Sequence, residues 1–233
     1  MDPSRCLVVV PFRDHIEPAC EESLRGLEAR GYAVRRTVGS AAVDLNHSHI
    51  ATDALASDWQ EILWVAPDTS FHPDAAERLR GHDLPLVGAL SVEPGTRELA
   101  CVFLPDTPDL TLGDGGGLVQ VRSLSTTFLL TGRAVFEDIA RTHDLPTCNK
   151  RSPTPVVPYF QPFVADDGDR GPQYLADSAA LCERARRAGH RVMLDTSIRL
   201  WRVGPHSYGW EDVLTPIRRA PSAKLPVKAG GPR

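Results

Sequence analysis

The chain has 233 residues, enough for one large domain with a real core or for two small ones. Hydrophobic residues make up 42% and charged residues 24%, which places the chain with ordinary globular proteins rather than disordered ones. The net charge of -4 and pI near 6.1 leave no Lys/Arg excess, and a nucleic-acid partner is therefore not expected. No apolar run approaches the roughly 20 residues of a membrane helix, so no membrane span is expected. Leu7–Val10 is too short for the apolar region of a signal peptide, and the expected location is cytoplasmic. The five cysteines (Cys6, Cys20, Cys101, Cys148, Cys182) are odd in number and widely spaced. They read as small buried apolar residues rather than a disulfide framework or a zinc site.

In chain order, Leu7–Val10 is a continuous apolar run, the mark of a strand covered on both faces. The spacing of Cys20, Leu24 and Leu27 predicts a helix from about Ile16 to Arg30, stopped by Gly31. A strand at Ala33–Thr37, a helix at His49–Ala56 and a strand at Glu61–Val65 follow. Pro73–Arg80 reads as a helix with Pro in its first turn, and Leu84–Leu90 as the next strand. This βαβαβαβ rhythm predicts a mostly parallel sheet with helices on both faces.

The second half reads differently. Ala100–Leu104, Leu118–Val121 and Thr127–Thr131 are strand candidates, and the glycine run at Gly113–Gly117 reads as a flexible hairpin tip. Arg133–Arg141 reads as helical, and proline-rich Thr147–Pro162 must be extended and irregular. Tyr174–Ala188 reads as a helix closed by Gly189, with strands at Arg191–Asp195 and Ile198–Val203. Residues 1–215 read as one domain, and 216–233, without apolar periodicity, as a mobile tail.

Ligands of open α/β sheets bind at the carboxyl ends of the strands. Two polar features fall there: Pro11-Phe12-Arg13-Asp14 after the first strand, and Asp68-Thr69-Ser70 after the third. Asp68 beside two hydroxyls suits a metal or a sugar hydroxyl, although such residues are also ordinary in loops and caps. Asp177 stands at a helix N-terminus, where the dipole stabilises the anion; it reads as a general base if it faces a cleft, and otherwise as a capping acid. Arg202 through Trp210 combines a cation, two glycines, His206 and the aromatics Tyr208 and Trp210 after a strand. That suits either a carbohydrate or nucleobase site or a strap across the sheet edge. His47-Ser48-His49 has no third ligand at zinc spacing and reads as a donor contact or a solvated helix start.

In this order the pieces resemble the GT-A glycosyltransferases, in particular small bacterial family-two-like members, from about Leu7 to Trp210. Pro11-Phe12-Arg13 looks like the family's base-holding loop, and Ile62–Phe71 like the strand that ends in the DxD motif. Asp177 through Gly189 looks like the "ED…FC.R…G" helix, whose Asp is the catalytic base in inverting members. The resemblance implies transfer of a sugar from a nucleotide-diphosphate sugar, such as a UDP-sugar, to an acceptor hydroxyl. It implies Pro11, Phe12, Arg13, His47, Asp68, Arg202, His206, Tyr208 and Trp210 as donor contacts, and Asp177 as the base. It also implies a divalent cation, Mn2+ or Mg2+, for which Asp68 and His206 are the remaining ligands. The chain departs from the pattern at the metal: Ala66 replaces the first DxD carboxylate, Ala176 the acid before the base, and Arg202 the expected His. Two outcomes follow: a metal-independent transferase in which Arg202 neutralises the leaving diphosphate, or a catalytically silent homologue that binds a nucleotide-sugar or a partner protein.

Overall fold

The computed structural model describes residues 2–93, 98–166, 171–204 and 220–227. After a 3-10 turn at Pro3–Arg5, the first half runs β1 (Cys6–Phe12), α1 (Pro18–Glu28), β2 (Ala33–Val38), α2 (Val43–Leu55) and β3 (Glu61–Val65). It continues through β4 (Thr69–Phe71), α3 (Asp74–Gly81) and β5 (Leu86–Ala89). The second half carries β6 (Cys101–Val102), β7 (Leu110–Gly113), β8 (Leu118–Val121), β9 (Ser123–Leu124), β10 (Phe128–Gly132) and α4 (Arg133–Thr142). It ends with β11 (Phe163–Asp166), β12 (Pro172–Leu175), α5 (Asp177–Arg187), β13 (Val192–Asp195), β14 (Leu200–Arg202) and β15 (Ser222–Leu225).

Seven strands form the central sheet in the order β2-β1-β3-β10-β5-β13-β8. Only β10 and β8 run against the rest, so the sheet is mostly parallel in direction. The alternation of side chains along the strands divides the core into two layers. Leu7, Val9, Ile62 and Trp64 face Ile50 and Ala54 of α2, Phe136 of α4 and Leu181 of α5. Val8, Val10, Leu63 and Val65 face Leu24 and Leu27 of α1 and Leu79 of α3. Both faces of the inner strands are therefore buried, which is why they read as unbroken apolar runs. Trp64 is fully buried, and its indole N–H donates to Thr131 Oγ1 at 2.9 Å, so no polar atom of the ring is left without a partner.

Asp195 ends β13 with no exposed surface. One carboxylate oxygen accepts from Arg78 Nε at 2.7 Å and pairs with His82 Nε2 at 2.7 Å; the other accepts from the Ser197 backbone N–H at 2.8 Å and from the Ser197 hydroxyl. Burial alone would raise this carboxyl. The hydrogen bonds from Ser197, His82 and Arg78 outweigh it and hold the pKa down to about 2. The cluster ties α3 to β13.

Four expectations are corrected. The helix expected from Tyr174 begins at Asp177, because Pro172–Leu175 gives its backbone to the antiparallel pairing with β11. The glycine run at Gly113–Gly117 is not a hairpin tip: β7 pairs with β15 and β8 with β13, and a Cβ on Gly116 would meet Thr196 Oγ1 at 2.7 Å. Within the stretch expected to be a mobile tail, Ser222–Leu225 is a strand, because the free edge of β7 offers it backbone partners. Finally, α2 starts at Val43 rather than His49 and carries His47 and Ser48 into the core. Cys6, Cys20, Cys101 and Cys182 are buried free thiols and Cys148 is a half-buried one. No helix among the described residues is long and apolar enough to cross a membrane.

Candidate functional site

The C-terminal ends of β1 and β3 open on one side of the sheet. Beyond β3 the chain turns at Ala66-Pro67, with the Ala66 N–H donating to the Thr127 carbonyl at 2.9 Å and the Glu17 N–H donating to the Pro67 carbonyl at 2.9 Å. These bonds fix the base of the turn that presents Asp68. The next residues form β4, whose antiparallel register with β14 sets Arg202 opposite Thr69. Asp68 and Arg202, 134 positions apart, meet for that reason: Arg202 Nη2 donates to Asp68 Oδ2 at 2.7 Å, and Nη1 to Thr127 Oγ1 at 3.3 Å.

The pair is incompletely satisfied. Asp68 Oδ1, Arg202 Nε and Thr69 Oγ1 are all buried without a hydrogen-bond partner among the described residues. A buried polar atom left unpaired costs about 1–3 kcal/mol, so three of them on adjoining residues mark a place able to take further hydrogen-bond partners.

Beside this pair lies a cavity of about 310 Å3, lined by Pro11, Phe12 and Arg13 from the end of β1, by Asn46 and His47 of α2, and by Thr127. Gly39 and Ser40, just past β2, close its far side, and the Gly39 N–H donates to the Phe12 carbonyl at 2.7 Å. Gly39 must be small, since a Cβ there would meet Asn46 Nδ2 at 2.7 Å. A larger hollow of about 560 Å3 lies among Asp2, Glu61 and Arg80. There the buried Arg80 spends its donors on Glu61, Tyr32 and the Asp2 carbonyl, and the opposed charges cancel.

His47 and Asp177 form a second pair, 130 positions apart, with Nδ1 and Oδ2 at 3.0 Å. His47 is buried against Trp64 and Phe160, with ring centroids at 5.1 and 5.0 Å, which removes the solvated reading of this residue. Its neighbours on α2 hold the proline-rich segment: Ser48 Oγ accepts from the Phe160 N–H and Thr52 Oγ1 from the Val157 N–H. Asp177 is the first residue of α5, where helix dipole and backbone favour an anion. Burial works to raise its carboxyl, but hydrogen bonds from His47 and Ser178 outweigh this and set it below the ordinary carboxylate range.

Of the residues expected at a site, Pro11, Phe12, Arg13 and His47 line one cavity, Asp68 and Arg202 pair next to its lining residue Thr127 while Arg202 itself lines a separate hollow of about 660 Å3, and Asp177 touches the first cavity through His47. His206, Tyr208 and Trp210 lie outside the described residues. Asn46, Ser40 and Thr127 went unnoticed in the sequence. The signal for Gly39-Ser40 was available, because the rule that ligands gather past strand ends applies to β2 as well as to β1. The described residues do not suit a divalent cation: Asp68 is the only carboxylate at the position, and a guanidinium already occupies one of its oxygens. Among the described residues no three His, Cys, Asp or Glu side chains come together to hold a metal.

The fold is α/β, a mostly parallel seven-stranded sheet with helices on both faces and small antiparallel sheets beside it. No protein-family model and no curated protein sequence matches the chain. Among solved structures it is similar to A197 from STIV, with a TM-score of 0.55, 11% identity and 87% of each chain covered. GalNAc-T7, solved with UDP, GalNAc and Mn2+, matches at a TM-score of 0.49 and 9% identity, over 85% of this chain and 44% of that one. S. aureus TarS 1-349 matches at 0.39 and 12%, over 83% and 58%. At these identities the first likeness establishes the fold, and the chemistry has to be argued from the site.

Proposed function

We propose that the protein is a glycosyltransferase that moves a sugar from a nucleotide-diphosphate sugar to an acceptor hydroxyl without a divalent cation. The observation that carries this reading is the Asp68–Arg202 pair with its unpartnered atoms, at the strand end where the resemblance puts the diphosphate. A phosphate oxygen suits Arg202 Nε, and a hydroxyl of the donor suits Asp68 Oδ1. Phe12 and Arg13 then contact the base and phosphate end of the donor from the end of β1. A fixed guanidinium neutralises negative charge as it develops on the leaving diphosphate, the part a metal plays elsewhere. Asp177, held as an anion, takes the proton of the acceptor hydroxyl. His206 is read with Arg202 as a contact of the leaving diphosphate, and Tyr208 and Trp210 as contacts of donor or acceptor. The cytoplasm is the compartment proposed, since nucleotide-sugars are the substrate.

A second reading has its own observation. Arg202 already fills one oxygen of Asp68, as it would in a homologue that binds a nucleotide-sugar without turning it over. A thermal-shift panel of UDP, GDP, CDP and dTDP and their sugars, each with Mn2+, with Mg2+ and with EDTA, tests the common ground. One nucleotide family is expected to raise the Tm equally in EDTA, because a ligand selective for the native state stabilises it by mass action. No shift under any condition overturns both readings. For a nucleotide that binds, Asp177→Asn separates them: it abolishes turnover in the first and changes nothing in the second.

A further inference from the structure

His47 has one ring nitrogen on Asp177 and a face in the cavity that also holds Phe12 and Arg13. Those two facts together constrain its chemistry. An ionised carboxylate only accepts hydrogen bonds, and Asp177 is held in its ionised form. The proton of this contact must therefore sit on Nδ1, and the neutral tautomer of such a ring keeps a lone pair on Nε2. Nε2 has no hydrogen-bond partner among the described residues. The ring cannot turn away, because Trp64 packs edge-on against it and Phe160 at a tilt. The titratable group of α5 that feels Asp177 is Cys182, whose thiol burial pushes up to about 11, so it is neutral and contributes no competing charge. From the β1 side of the cavity the facing charge is Arg13.

We propose that His47 bridges the donor and the base, its Nε2 accepting a hydrogen bond from a ribose hydroxyl of the bound nucleotide while its Nδ1–H fixes the orientation of Asp177. Resting on the transferase reading, this makes His47 a positioning residue. It acts through Asp177, whose carboxylate also accepts from Ser178. A donor without the hydroxyl, or an enzyme without the imidazole, then has a base that is present but unaligned. The same imidazole explains why a histidine is buried in an apolar wall between Trp64 and Phe160, where a plain core residue would pack at lower cost.

The test begins on the free protein. Long-range 1H–15N correlation of the histidine rings at neutral pH is expected to show His47 protonated on Nδ1 and bare on Nε2, with Asp177→Asn relaxing that preference. A ring protonated on Nε2, or a tautomer indifferent to Asp177→Asn, overturns the bridge. The second arm uses the nucleoside diphosphate that gives the largest thermal shift, together with its 2′-deoxy and 3′-deoxy forms. One of the two deoxy forms is expected to bind about 3- to 10-fold more weakly than the parent, the worth of one hydrogen bond, and to leave the His47 Nε2 resonance unmoved, whereas the parent and the other deoxy form move it. In His47→Asn, whose amide reaches the Nδ1 position but not that of Nε2, the penalty for the missing hydroxyl is expected to vanish. Equal binding of all three nucleotides with an unmoved His47 signal overturns the bridge while the transferase reading stands. Binding of no nucleotide overturns the transferase reading and with it the hydroxyl contact, and the tautomer then decides only the His47–Asp177 unit.

Discussion

Two carboxylates follow the C-terminal parts of two parallel strands of one sheet, β13 and β3, and they have opposite surroundings. Asp195, at the end of β13, is fully buried and meets four donors from Arg78, His82 and Ser197. Asp68, past the end of β3, meets among the described residues Arg202 alone, and there keeps one oxygen buried and unpartnered, as Arg202 keeps its Nε. Both are carboxylates with an arginine at 2.7 Å, so distance does not tell them apart. What differs is completeness. A saturated cluster stabilises the fold and has nothing left to offer a ligand, whereas an unsaturated one costs stability in the free protein and gains it on binding.

The contrast breaks most visibly at Asp195. Asp195→Ala leaves Arg78, His82 and Ser197 facing a hole. It is expected to cost about 3–5 kcal/mol, read as a lower midpoint in urea unfolding. Acid sharpens the same point. The folded pKa of Asp195, about 2, lies below its ordinary value near 3.8, so its contribution is full above the ordinary value and is lost as pH falls through about 2. Wild-type stability is expected to fall across that window by roughly 2 kcal/mol more than that of Asp195→Asn, measured by denaturant melts at pH 5, 4, 3 and 2.

At the other carboxylate the effects move from stability to binding. Arg202→Met is expected to weaken nucleoside diphosphate binding about 10- to 100-fold, because a charge-assisted contact to phosphate is lost. The double variant Asp68→Asn, Arg202→Met is expected to unfold within about 1 kcal/mol of the wild type, since it removes the whole half-buried pair and leaves no lone charge. A loss of several kcal/mol in that double variant would place Asp68 with Asp195 and erase the comparison.

The same divide governs what could be read from the sequence. Glu61–Val65 and Leu118–Val121 have the bounds expected from their apolar runs, and the first-half βα rhythm gave the sheet its direction. These depend on local pattern and on burial, which the chain carries in consecutive residues. The two pairs at the site join positions 130 or more apart, and both depend on topology. Arg202 reaches Asp68 through the register of β4 with β14, two three-residue strands with no periodicity to announce them. His47 reaches Asp177 because α2 starts at Val43, six residues earlier than its apolar residues suggest, and because α5 packs on the same face of the sheet. The antiparallel strand β10 lies between β3 and β5, a place that no local feature of Phe128–Gly132 could specify.

The most direct test of the central claim is calorimetric titration of the nucleoside diphosphate that gives the largest thermal shift into wild type and Arg202→Met, each in EDTA and each with Mn2+. The account predicts that the wild type binds equally well in both buffers, and that Arg202→Met loses most of that affinity in both. Binding that requires Mn2+, or that is indifferent to Arg202→Met, would contradict it.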